Sequence, residues 1–117
     1  MCEIFVKADP NLYAAKARSI RLHGVVTSIR LEKLFWQVLS EIAERDGMNI
    51  NQLITKLYDE LIAYRGDSGE IDNFASFLRV CCLRYASLMA DGEISPDKNL
   101  PLSGLRTKLA AINAYLL

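Results

Sequence analysis

Hydrophobic positions change period along the chain, and the changes divide it into elements. From Arg18 to Leu31 the text is RSIRLHGVVTSIRL, in which Ile20 and Leu22, then Val25, Thr27, Ile29 and Leu31 fall at every second position, the period of a strand. His23-Gly24 between the two runs predicts a two-residue hairpin turn that sets Leu22 opposite Val25, Ile20 opposite Thr27 and Ser19 opposite Ser28. The other face then holds Ser19, Arg21, Val26, Ser28 and Arg30, and it is short, polar and basic.

Over residues 33–46 the period becomes helical. Phe35, Val38, Leu39, Ile42 and Ala43 recur at three and four, Glu41, Glu44 and Arg45 lie off that stripe, and Gly47 supplies a stop. A second helix starts at Asn49, with Gln52 three residues on as a variant of the capping box, and carries Leu53, Ile54, Leu57, Tyr58, Leu61 and Ile62 to about Arg65. After the loop GDSGEID, a third helix runs from Asn73 to Ala90 with Phe74, Phe77, Leu78, Cys81, Tyr85 and Leu88 on one stripe. The stretch EISPDKNLP reads as a linker, and Ser103 caps a last helix with a narrow seam of Leu105, Leu109, Ile112 and Leu116. Before all of these, CEIFV reads as a short strand and Asp9-Pro10 as the start of a helical turn. The expected fold is mostly α with a short N-terminal β element, organised as residues 1–90 followed by a linker and C-terminal helix over 91–117.

Charge alters this picture by its distribution. The 117 residues hold 14 Lys and Arg against 14 Asp and Glu, a net charge of zero, which argues against a coat that binds nucleic acid by bulk attraction. Residues 1–36 nevertheless have six bases and three acids, residues 37–72 three bases and eight acids, and residues 73–117 five bases and three acids. The strand region is therefore basic and the helical middle acidic, so Glu41, Glu44, Asp46, Asp59 and Glu60 are expected away from any nucleic-acid contact.

Other chemistry is sparse. One His, no phosphate-cradling glycine loop and no nucleophile elbow argue against an enzyme, and three cysteines without a CxxC pair suggest neither a metal site nor a disulfide framework. No cofactor is expected. Cys81 and Cys82 read as small hydrophobic packing residues, and Phe35 and Trp36 as core and dimer contacts. No run reaches the ~18 apolar residues of a membrane span, and the opening has no signal-type apolar stretch, so a cytoplasmic location is expected.

The segments TSIRL and AERDGMNINQLI resemble the strand and interhelical segment of Arc-type ribbon-helix-helix repressors. A closer resemblance is to short bacterial ribbon-helix-helix domain proteins with the pattern G-x-x-T-S-[IV]-x-L-E-x-x-F-W, matched by Gly24, Thr27, Ser28, Ile29, Leu31, Glu32, Phe35 and Trp36. It continues in Asn73, Phe74, Ala75, Ser76, Leu78, Arg79 and Val80, and the opening with Cys2, Asp9, Pro10 and Tyr13 is similar too. The resemblance implies a strand-helix-helix core extended by the third and C-terminal helices, an obligate homodimer, and a ribbon of one strand per subunit in the DNA major groove at a palindromic site.

Under that reading Val26, Ser28 and Arg30 face base edges, with Arg30 suited to guanine and Val26 to a thymine methyl. Arg18, Arg21 and Lys33 around the strand, and the first amides of the second helix at Asn49 and Asn51, would contact phosphates. Two questions stay open at this level. Arg18 to Leu22 either pairs with Val25 to Leu31 inside the chain or leaves 25–31 to join the ribbon alone. The alternative function is a dimeric protein-interaction module that binds a partner through residues 103–117, with the strand face an ordinary solvated surface and Asn49 a helix cap.

Overall fold

In the computed structural model, residues 2–66 and 73–102 are described. Two short helices, α1 (Cys2–Val6) and α2 (Pro10–Tyr13), lead into a hairpin of β1 (Ala15–Leu22) and β2 (Val25–Glu32). Then come α3 (Lys33–Arg45), α4 (Ile50–Arg65) and α5 (Phe74–Ala90). The seam of the expected C-terminal helix lies outside the described residues.

The hairpin has the expected register: Leu22 faces Val25, Ile20 faces Thr27 and Ser19 faces Ser28. Its turn residues both take positive φ, 51° at His23 and 84° at Gly24, the conformation whose twist matches that of paired strands. The intrachain pairing left open by the sequence is therefore formed, across eight residues of each strand.

Strand alternation buries one face. Ile20, Ile29 and Leu31 turn inward and meet Trp36 and Leu39 of α3, Leu53 and Ile54 of α4, and Leu78 and Cys82 of α5. Side chains of this size contribute about 1.5–3 kcal/mol each when fully buried. The Trp36 indole N–H donates to the Lys16 carbonyl at 2.8 Å, so the ring packs inside without an orphaned donor.

The helices end where local chemistry dictates. Asn49 and Gln52 close a reciprocal capping box, each side chain accepting from the other's backbone N–H at 2.8–2.9 Å. Gly47 follows α3 with φ 68°, a conformation that favours glycine.

Four expectations need correction. CEIFV is the helix α1 rather than a strand; its Ile4, Phe5 and Val6 are exposed, and a five-residue apolar run has no periodicity that separates the two. On α3 the buried set includes Trp36 and Arg45 along with Leu39 and Ala43, because two helices and the sheet cover more of α3 than one stripe. On α5 the fully covered cysteine is Cys82, and Cys81 is only half-buried.

The fourth concerns the linker-like stretch after α5, which is packed: Ile94 is buried, the Leu100 carbonyl accepts from Arg45 Nε at 2.8 Å, and the Leu102 N–H donates to Asp46 at 2.6 Å. The contacts to α3 come from the backbone at Leu100 and Leu102 and from the Lys98 ammonium on Glu41, while Glu93, Asp97 and Asn99 stay exposed.

Candidate nucleic-acid interface

The outward face of the hairpin carries Ser19 and Arg21 of β1 beside Ser28 and Val26 of β2, with Arg30 opposite Ala17 and Glu32 opposite Ala15. All of these are exposed except Glu32, which is half-buried. Val26 and Arg30 are four residues apart on one strand, about 13 Å at the usual rise. Small side chains at Ala15, Ala17, Ser19 and Ser28 leave the two arginines standing above a low surface.

Electrostatics on this face favour an anion. Among the described residues Arg21, Arg30 and Lys33 make no ion pair. Glu32, the acid in the same row, is drawn to α5, where Arg79 donates to it at 2.8 and 3.4 Å. That hydrogen bond holds the Glu32 carboxyl below its ordinary value, so its charge is fixed and neutralised locally.

The two edges of the sheet differ. In a two-residue hairpin the closing pair Leu22 and Val25 exchange hydrogen bonds, and the alternation then turns the backbone groups of Arg21 away from β2 and those of Val26, Ser28 and Arg30 away from β1. The Arg21 groups are taken up by Asn51, whose side chain accepts from the Arg21 N–H and donates to the Arg21 carbonyl, both at 2.9 Å. Thr55 adds a further hydrogen bond to that carbonyl at 3.4 Å. No hydrogen bond among the described residues occupies the outer edge of β2 at Val26, Ser28 or Arg30.

The structure thus brings Arg21, Val26, Ser28 and Arg30 together, with Lys33 exposed just beyond the end of β2. It sets Arg18 apart: this residue pairs with Ile29 on the inward face, half-buried, its guanidinium 5.1 Å from the Trp36 ring centroid. The Asn51 side chain is engaged with the sheet and that of Asn49 with its cap, which leaves the backbone N–H groups of Ile50 and Asn51 as the unpartnered donors at the start of α4.

Two features were not read from the sequence. His23 does more than form the turn: its Nε2 lies 2.6 Å from Asp59 Oδ1, tying the hairpin tip to α4 and placing one of the middle-segment acids beside the strands. Arg45 is buried at the opposite end of α3, bonded to Leu100 and, at 3.1 Å, to the Tyr85 hydroxyl. Tyr85 in turn donates to Glu41 at 2.6 Å, and Lys98 reaches the same carboxylate at 2.7 Å. Burial raises the Tyr85 hydroxyl above its ordinary value, and its bond to Glu41 adds to the effect. The i to i+4 spacing of Glu41 and Arg45 was the available signal, but only α5 and the segment behind it reveal their partners.

Burial pushes the Cys81 thiol up to about 11 and the Cys82 thiol up to about 12, which keeps both protonated and poorly nucleophilic. No group of three or more potential metal-ligating side chains occurs among the described residues, and none of their helices is long and apolar enough to cross a membrane.

This hairpin followed by two helices, the second closed by a capping box, defines the class. The chain belongs to the ribbon-helix-helix domain family, whose pattern it matches over residues 15–86, a family generally made up of dimeric DNA-binding regulators. Among solved structures it is similar to an uncharacterized protein from Bordetella pertussis Tohama I, at 59% identity and a TM-score of 0.82, over 89% of this chain and 81% of that one. No curated protein matches.

Proposed function

We propose that two copies of this chain pair through β2 in antiparallel fashion and that the dimer reads a palindromic DNA site as a transcriptional regulator in the bacterial cytoplasm. The observation that carries this reading is the unpaired β2 edge lying beside a face whose arginines have no ion-pair partner among the described residues. Outward-pointing groups pair with outward-pointing groups, so Ser28 meets its own copy and Val26 meets Arg30 of the second chain.

The result is a four-stranded sheet in place of a simple ribbon, because β1 accompanies β2 on each side. Strands about 4.8 Å apart set the outer pair about 14 Å from one another, against a major groove about 12 Å wide. The central pair therefore enters the groove and the β1 strands ride on its rims. Val26, Ser28 and Arg30 then face bases, while Arg21, Lys33 and the N–H groups near Asn49 to Asn51 face phosphates. Arg18, on the reverse face, supports Trp36.

Selection from random duplexes tests the proposal. The expected outcome is a consensus with dyad symmetry, and Arg30→Ala loses preference at one base pair of each half-site, worth about 1–3 kcal/mol. Recovery of no dyad-related consensus sinks the reading.

A further inference from the structure

α3 packs on both α4 and α5, while α4 and α5 meet through the edge-on rings of Tyr58 and Phe74, 5.5 Å apart. Beyond that contact lies an open groove of about 400 Å³ whose floor and walls include Ile42, Leu53, Leu57, Leu88, Ile94 and Leu102. Its surface is mostly apolar, with Asp46, Lys56, Glu60 and Arg84 also lining it, and none of its lining residues belongs to the hairpin.

Leu102 is both a wall of this groove and the residue from which the chain continues. Its backbone is fixed there, since the Leu102 N–H is bound by Asp46 and the Leu100 carbonyl by Arg45. The next 15 residues carry Leu105, Leu109, Ile112 and Leu116 at the spacing of one helical seam, with Ala110, Ala111 and Ala114 between them. A helix of that length is marginal in water without a surface to bury its seam.

We infer that residues 103–117 dock in cis as an amphipathic helix along the groove between α4 and α5. The dimensions agree: the seven-residue step from Leu53 to Glu60 along the groove wall rises about 10 Å, and so does the step from Leu105 to Ile112. Delivery by a pinned Leu102 removes the need for a long connection and gives the segment a high effective concentration at the site. Cys81, half-buried in the groove wall, becomes covered.

Hydrogen exchange on the full-length chain tests this. Amides of 105–116 are expected to be protected in the wild type, independently of protein concentration. Leu109→Asp in the seam and Leu57→Glu in the groove each speed their exchange by about tenfold or more, while α3 keeps its protection. Leu109→Asp also speeds alkylation of Cys81 to a similar degree, and Asn113→Asp, off the seam, changes neither readout. The core formed by the described residues runs from Ile20 to Cys82, so the Leu109 variant keeps the fold even where Leu57→Glu does not. Unprotected wild-type amides overturn the inference and leave the groove to a foreign occupant. Protection that falls on dilution overturns it as well, by assigning the segment to a second copy.

Discussion

The two ends of the molecule treat arginine in opposite ways. At the hairpin, Arg21 and Arg30 stand on an exposed face with no ion pair among the described residues. At the far end of α3, Arg45 is 6% exposed and donates to Leu100 and Tyr85 beneath a segment that closes over it. Every buried side-chain nitrogen and oxygen among the described residues has a partner, so the second end uses its polarity to hold the fold. The first end leaves its polarity available. Charge alone therefore does not mark a binding surface; the relevant quantity is whether the fold has already satisfied it.

That contrast is broken most forcefully at Arg45. Arg45→Ala strips donors from buried acceptors and is expected to destabilise the protein by about 3 kcal/mol, read from urea unfolding, with no altered base preference in whatever DNA-bound fraction stays folded. Arg30→Ala should do the reverse, shifting stability by no more than about 0.5 kcal/mol while removing the preference at one base pair of each half-site. Equal stability losses for the two variants would erase the distinction.

Asn51→Ala sharpens it from the side of the sheet edge. Losing the paired hydrogen bonds to Arg21 is expected to cost about 1–2 kcal/mol and to raise amide exchange at Arg21 above that of its neighbours in β1. On the binding side, Arg21→Ala should weaken affinity equally for all sequences and lower the salt slope by about one per phosphate left without its cation.

The smallest effect concerns Glu32. Arg79 holds its folded-state carboxyl below the ordinary value of 4.5, so the pair's contribution is present above that value and disappears as pH falls through the lowered one. Glu32→Gln should therefore lower the thermal midpoint near neutral pH and leave it unchanged in strong acid. A difference that persists in acid would assign the loss to packing instead of charge.

Much of the candidate surface was legible in the chain because a hairpin is local. His23-Gly24 and the period of two determine register and face together, and these place Val26, Ser28 and Arg30 outward and Ile29 inward. Arg18 stands apart from them: it is near β2 in sequence and on the inward face in space, as its pairing with Ile29 requires. The engagement of Asn51 with Arg21 joins residues 30 positions apart, and no local pattern encodes it. The segment after α5 misled for a related reason, since its prolines and polar residues read as a linker and nothing local shows that the backbone groups of Leu100 and Leu102 bond to Arg45 and Asp46.

By itself the sequence determined the elements that depend on near neighbours: the hairpin and its polar basic face, the capping box at Asn49, and the extents of α3, α4 and α5. Tertiary structure alone decided which strand edge is closed by Asn51 and which stays open, that Arg45 is interior while Arg30 is exposed, and that α4 and α5 part to form a groove at Leu102. The division follows from range. Backbone geometry and side-chain period act over a few residues, whereas burial and hydrogen-bond satisfaction depend on segments that meet only after the chain has folded.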